Sequence, residues 1–470
     1  MVFSSLSFLI IFLPLLIIIY FSIPKKWKNI RQYVLLLFSL LFYASGEPLY
    51  IFLIVGCILS TWILSKAVNK KNKTALIVSI LINVIPLLIT KYSGFIVQNI
   101  NHLFNKDLIS IPSIVMPIGI SFYTFQVITY IVDLYRGKIK RQKNPFLFAL
   151  YIMFFPQLIA GPIVKYEEVE KQIEKPDVSW DNIKIGTERF IIGLGKKVLI
   201  ANQVGYIAST IGSNPINGIT TGMAWLCVLA YTIQIYFDFS GYSEMAIGLG
   251  KLFGFHFPDN FQNPYTVTSV AEFWRKWHIT LGRFFREYVY IPLGGNRVKR
   301  LRWIINIFIV WALTGLWHGA SWNFVLWGVY YGVLLVIEKI TGIDKKMPKA
   351  LSWFVTMIIV MFGWAIFMND GIGLKATFKF IAKLLFINGN IVNPVTIGSL
   401  KLWGYIPFLI IGLFISVPIG VNIIKKINEF RSKDNKIINV LSDFTLIMIL
   451  VLSLMFLIGG TYNPFIYFRF

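Results

Sequence analysis

The stretch WIINIFIVWALTGLWHGASWNFVLWGVYYGVLLVI runs from Trp303 to Ile337 without a single charged side chain. A helix crosses a bilayer with about 20 apolar residues, so this run predicts two spans, or a span and a re-entrant piece. It also holds one histidine, His318, in the setting Thr314-Gly315-Leu316-Trp317-His318-Gly319-Ala320. An ionisable side chain at membrane depth is costly, and by default marks a functional site.

Similar runs fill the rest of the chain. Phe3 to Ile23, Tyr33 to Ser65 (broken only at Gly46-Glu47-Pro48), Thr74 to Thr90, Leu108 to Val132 and Asn144 to Val164 precede it, with Val198 to Phe237. Leu351 to Asn369, Leu402 to Ile424 and Phe444 to Phe468 follow. Together they predict an all-α polytopic membrane protein of roughly 10 to 13 membrane helices. One membrane domain is expected over residues 1–470: N-terminal helices to 250, an interfacial or re-entrant segment over 251–302, and C-terminal helices from 303.

Composition agrees. Residues of the AVILMFWYC set make up 56% of the 470-residue chain and charged residues only 14%, where about 25% charged is ordinary for a soluble domain. The formal charge is 45 − 21 = +24. In a soluble chain that excess would suggest nucleic acid, but here it sits in short loops beside apolar runs, the positive-inside pattern, so no nucleic-acid partner is expected. The clusters Lys25/Lys26/Lys28/Arg31, Lys66/Lys70/Lys71/Lys73, Arg136/Lys138/Lys140/Arg141/Lys143 and Lys425/Lys426/Arg431/Lys433/Lys436 are expected in the cytoplasm. The N-terminus is then outside, and Tyr33 to Ser65 is a hairpin turning at Gly46 to Pro48. Phe3 to Ile23 has no basic region before it and no small-residue cleavage site, so it reads as a retained span. Cys57 and Cys227 lie in apolar stretches as small buried thiols, and no metal site is expected. Lys165 to Lys184 reads as a surface helix and loop.

Between His256 and Arg302 the pattern changes. From Ala271 the chain reads AEFWRKWHITLGRFFREYVYIPLGGNRVKRLR, aromatics and cations together. On one continuous helix Trp274, Trp277, His278, Leu281, Phe285 and Tyr288 share a face, with Arg275, Lys276, Arg283 and Arg286 opposite. Two readings fit: an anchor for anionic lipid, or a re-entrant element at a protein-lined cavity. The Gly294-Gly295-Asn296-Arg297 turn would suit a phosphate-bearing ligand if its amides face outward. His278 and His318 each directly follow a Trp, and neutral imidazole suits removal of a hydroxyl proton near pH 7. Asp133, Gln126, Gln157, Gln234, Asp238 and Glu244 are further polar groups at membrane depth, Asp238 being placed to orient a histidine or cap a broken helix. His102 and His256 lie in loops and carry no signal.

These residues bring a resemblance into view. MPIGISFYTFQVITYIVDLYRG (Met116 to Gly137), FPQLIAGPIVKY (Phe155 to Tyr166), YTIQIYFDFSGYSEMAIGLGKLFGFHFP (Tyr231 to Pro258), EFWRKWHITLGRFFREYVYIPLGGN (Glu272 to Asn296), TGLWHGASWNFVLWG (Thr314 to Gly328) and NPFIYFRF (Asn463 to Phe470) resemble the membrane-bound O-acyltransferases. The similar branch is the one typified by the alginate O-acetyltransferase membrane subunit. The resemblance implies a ring of membrane helices around a central tunnel, in the cytoplasmic membrane of a bacterium. His318 matches the catalytic histidine of the family's Leu-Trp-His-Gly motif, and His278 the second active-site histidine of Trp-Arg-Lys-Trp-His. It further implies acetyl-CoA as acyl donor with no bound cofactor, docking near Arg275, Arg283, Asn296 and Arg297, with Trp277, Trp317 and Asp238 beside the substrates. A polysaccharide acceptor and a separate extracytoplasmic SGNH-type partner complete the expectation. No activated Ser or Cys nucleophile is evident. The rivals are the sister branch that moves D-alanyl groups to teichoic acids, and a polysaccharide transporter.

Overall fold

The computed structural model describes residues 1–387, 389, 391–432, 436–460 and 462–466. Lys433 of the fourth basic cluster and residues 467–470 of the terminal motif lie outside the described residues, as do the side chains of Lys25, Lys28 and Arg431. Among the described residues the secondary structure is helical, with one isolated antiparallel bridge, Phe261 to Trp277. Contacts divide the chain into two units.

The first unit comprises Met1–Phe190 and Tyr242–Asp259. It contains α1 (Leu13–Ser22), α2 (Lys28–Ala44), α3 (Tyr50–Val68), α4 (Lys73–Phe104), α5 (Ile120–Arg136), α6 (Pro145–Met153), α7 (Phe155–Leu158), α8 (Tyr166–Glu174) and most of α9 (Trp180–Gly195). α2 stops and α3 starts on either side of Gly46 to Pro48, the expected hairpin turn. Lys71 donates to the Tyr135 carbonyl, and Arg141 stacks over Trp62 and bonds Ser65 Oγ at 2.8 Å. The second and third basic clusters therefore share one end of this unit. Its core is phenylalanine-rich: Phe3, Phe8, Phe12, Phe42 and Phe155 lie within 5.1–6.2 Å of one another in successive pairs. Asn144 to Val164 is not one span. Phe154 leaves the helical region (φ −54°, ψ 112°) just before Pro156, which has no N–H for a continuing helix, so the run breaks into α6 and α7. Glu244 is held by Arg189 at 2.7 Å, and the same guanidinium reaches Asp259 at 2.6 Å. Lys165 to Lys184 holds α8, whose Tyr166, Val169 and Ile173 are buried.

The second unit comprises Ile191–Gly241 and Asn260–Ile466. A π-helical turn (Lys196–Ala201) leads into α10 (Asn202–Gly212) and α11 (Thr221–Leu252), whose residues from Tyr242 belong to the first unit. There follow α12 (Val270–Lys276), α13 (Ile279–Phe285), α14 (Arg300–His318), α15 (Trp322–Thr341), α16 (Ile343–Lys346), α17 (Lys349–Met368), α18 (Gly373–Leu384), α19 (Ile406–Ser416), α20 (Pro418–Ser432) and α21 (Lys436–Gly459). The charge-free run makes two helices, α14 and α15, that pack backbone to backbone. A Cβ on Gly315 would lie 2.2 Å from the Phe324 carbonyl oxygen, and one on Gly328 would lie 2.3 Å from that of Trp311. Small residues let membrane helices approach this closely.

Seven described helices are long and apolar enough to cross a membrane, or eight if the α19/α20 pair, bent by 70°, is one span. The chain is a multi-pass membrane protein. With the shorter apolar helices Phe8–Ser22 and Asn29–Ala44 the total reaches ten, the low end of the sequence-based range. The break at Phe154 removes one expected span.

Candidate active site

The continuous amphipathic helix expected from Ala271 does not form. α12 ends at Lys276, His278 adopts a left-handed conformation (φ 46°, ψ 54°), and α13 begins at Ile279. The break is held by the loop before it. The Gln262 N–H donates to the Lys276 carbonyl at 3.1 Å, and the Ile279 N–H to the Asn260 carbonyl at 3.0 Å. A left-handed β-carbon-bearing residue costs about 1–2 kcal/mol, and such strain concentrates at functional sites. His318 also marks an interruption, since α14 ends on it and the chain turns extended at Gly319.

Both histidines are 2% exposed. His278 Nδ1 lies 3.0 Å from Asn260 Oδ1, which also accepts the Thr280 N–H at 3.3 Å and the Thr280 hydroxyl at 3.0 Å. The Thr280 N–H can only donate, so the Asn260 oxygen must face this cluster. Nδ1 of a neutral His278 therefore carries the proton, and Nε2 is its basic nitrogen. The ring of Phe239 meets His278 edge-on at 4.7 Å. Trp317 lies 5.7 Å from His278 and 4.9 Å from His318, so one indole flanks both imidazoles. His318 is further enclosed by Trp327 at 5.0 Å and Phe367 at 5.2 Å. Gly319 leaves room for the Phe324 ring, which a Cβ there would meet at 2.1 Å.

The surrounding shell is built from nearby helices of the same unit. Trp277, 1% exposed, packs on Trp364 at 4.8 Å and on Phe261 at 5.1 Å. Glu338 of α15 accepts the N–H groups of Val270 (2.7 Å) and Ala271 (3.0 Å), fixing the start of α12. Beyond α17, Asp370 accepts the hydroxyl of Ser321, the N-cap of α15. Burial pushes the Asp370 carboxyl above the usual range, an effect this hydrogen bond partly offsets.

The structure gathers some expected residues and separates others. His278, His318, Trp317 and Trp277 form one aromatic cluster. Asp238 bonds no imidazole: it pairs with Lys197 and accepts a backbone N–H from Ile466 at 2.8 Å. Asn296 and Arg297 line a cavity of about 610 Å³ with Arg286, Tyr290 and Gly294; Arg275 and Arg283 do not line it. The turn glycines do not offer their amides to an anion. Gly294 (φ +101°) donates to Ile291, Gly295 (φ +57°) to Tyr290 and Arg297 to Gly294, all within the turn. Any anion there is met by side chains. Asn306 secures the turn by donating to the carbonyls of Leu293 (3.1 Å) and Gly295 (3.2 Å). Asn260, Thr280, Lys197 and Asn306 escaped the sequence because their partners lie far along the chain; a polar residue inside an apolar run, as at Asn306, was the available signal.

Known proteins are similar to this chain over most of its length. Residues 138–377 match the family model of the membrane-bound O-acyltransferases. The chain is 38% identical over 385 residues to the probable alginate O-acetylase AlgI of Pseudomonas aeruginosa, covering 79% of this chain and 73% of that one. It is 35% identical over 428 residues to the peptidoglycan O-acetyltransferase of Helicobacter pylori, covering 83% and 80%. To the teichoic acid D-alanyltransferase of Bacillus subtilis it is 27% identical over 313 residues, covering 62% and 76%. With both histidines inside the matched region, the chain belongs to the membrane-bound O-acyltransferase family, in its AlgI-like branch, and is an O-acyltransferase.

Proposed function

We propose that this enzyme moves acetyl groups from cytoplasmic acetyl-CoA to hydroxyls of an extracytoplasmic polysaccharide, acting with a separate SGNH-type partner in the bacterial cytoplasmic membrane. The observation that carries the reading is the pair of buried histidines at two helix breaks, flanking one indole. The cavity bearing Arg286, Asn296 and Arg297 suits the anionic end of the donor. His318 takes the proton of the acceptor hydroxyl as its oxygen attacks the thioester carbonyl. Collapse of the tetrahedral intermediate forms the ester, breaks the C–S bond and releases CoA thiolate, which recovers the proton. Neutral His278, with Nδ1–H committed to Asn260, presents Nε2 as an acceptor, so it orients the hydroxyl or the other imidazole. Higher identity to acetylating relatives than to the D-alanylating one favours acetyl.

The test is transfer from radiolabelled acetyl-CoA in membranes supplied with partner and polymer. General base assistance is worth about 10²–10⁴-fold, so His318→Ala is expected to lose that factor while remaining inserted. Equal transfer by the variant would overturn the mechanism, and no transfer by the wild type would overturn the donor assignment.

A further inference from the structure

A buried ion pair, apart from the histidines, joins the turn Lys196–Ala201 to α11. Lys197, in the π-helical turn Lys196–Ala201, lies 2.7 Å from Asp238, their side chains 3% and 1% exposed. Two charges out of water lose several kcal/mol each unless every hydrogen-bonding capacity is met. Here the ammonium faces three acceptors: Asp238, Asn202 Oδ1 at 2.8 Å, and the backbone carbonyl of Pro464. The second carboxylate oxygen accepts the Ile466 N–H at 2.8 Å, and Asn202 Nδ2 donates to Asn463 Oδ1 at 3.1 Å. The segment Asn463–Ile466 is thus tied down at three points, and without it both charges would lose a partner. The π turn and α11 also touch directly, since a Cβ on Gly241 would come within 3.1 Å of the Lys197 backbone nitrogen. The residue after Asp238 is Phe239, whose ring abuts His278.

We propose that Lys197 and Asp238 are positioning residues, a clamp that straps Asn463–Ile466 onto α11 and thereby sets Phe239 and His278 in their working geometry. The proposal rests on the acyl-transfer reading for its catalytic consequence, but not for the clamp itself. A well-packed apolar pair commonly replaces a buried ion pair with no loss of stability. The clamp is therefore kept for registry, and an apolar replacement separates registry from stability.

The experiment uses the full chain in nanodiscs, comparing wild type with the double variant Lys197→Met/Asp238→Leu and with Ile466→Pro, which removes one donor and no charge. Exchange of the Ile466 amide is expected to quicken about tenfold or more in the double variant, and that of the Asn463 and Phe465 amides in both variants. The kcat for acetyl transfer is expected to fall about 10–100-fold with donor KM unchanged, and the ring ¹⁵N shifts of His278 to move. Unchanged exchange in the double variant, or a freed strap with wild-type kcat and unmoved His278 shifts, would overturn the clamp. If the wild type transfers no acetyl, the acyl-transfer reading falls, and the exchange rates and His278 shifts still decide this proposal.

Discussion

His278 and His318 lie on either side of one side chain, the indole of Trp317, at ring-centroid distances of 5.7 and 4.9 Å. Their 40-residue separation in sequence is closed by α14 ending on His318 and by the left-handed break at His278. A side chain between two imidazoles sets their spacing as well as filling volume.

Trp317→Phe therefore keeps an aromatic filler but narrows the spacer. Its kcat is expected to fall about tenfold, a rise of roughly 1.4 kcal/mol in the barrier, with the protein still inserted. Trp317→Ala is expected to cost about 3–5 kcal/mol of stability besides. Thermal unfolding in detergent alongside initial rates distinguishes the two effects.

Asn260 gives one oxygen to three donors around His278. Asn260→Ala leaves those buried donors without it, at about 1–3 kcal/mol each, and lets the imidazole change tautomer. Activity is expected to drop about 10–100-fold, whereas Asn260→Asp, which keeps the acceptor, retains more. Rates of the two variants at matched protein levels give the comparison.

Arg286 and Arg297 stand at the cavity with Asn296. Replacing both by Ala is expected to raise the KM for acetyl-CoA about tenfold or more, because charge-assisted hydrogen bonds are worth about 1.5–3 kcal/mol each. The kcat should hold. Raising ionic strength should mimic part of the defect in the wild type and little of it in the double variant.

The α14/α15 contact sets a limit on size. Gly328→Val forces a side chain against the Trp311 backbone, 2.3 Å away at its Cβ, and is expected to destabilise by about 1–3 kcal/mol or more. At Gly222 a Cβ would meet nothing within 4 Å, so Gly222→Ala should be neutral or gain up to about 1 kcal/mol. Melting temperatures of the two purified variants check both.

Much of this was legible beforehand because membrane burial writes itself in composition. The run from Trp303 to Ile337 announced two spans, or a span and a re-entrant piece, and it forms two helices, with a histidine within it marking a candidate site. Periodicity failed where tertiary contacts overrode it: the aromatic stripe from Trp274 to Tyr288 has helical spacing, but the Asn260 loop pins the backbone open at His278. Asp238 was visible as a costly charge, yet its partner Lys197 stands 41 residues away, a pairing that spacing does not encode. The glycines of the Pro292 to Arg297 turn announced a turn, while the fate of their amides depended on hydrogen bonds that spacing does not encode.

On the proposed mechanism, the left-handed backbone at His278 also makes that position a point where catalysis and folding have opposed preferences. Glycine takes up φ 46° without the strain of a side chain, so selection for folding alone would drift toward it. His278→Gly should then yield a chain that survives heating at least as well as His278→Ala and yet turns over no substrate. On the proposed mechanism, a histidine held in this conformation is a small, standing tax on the fold, set against a ring that orients the acceptor hydroxyl.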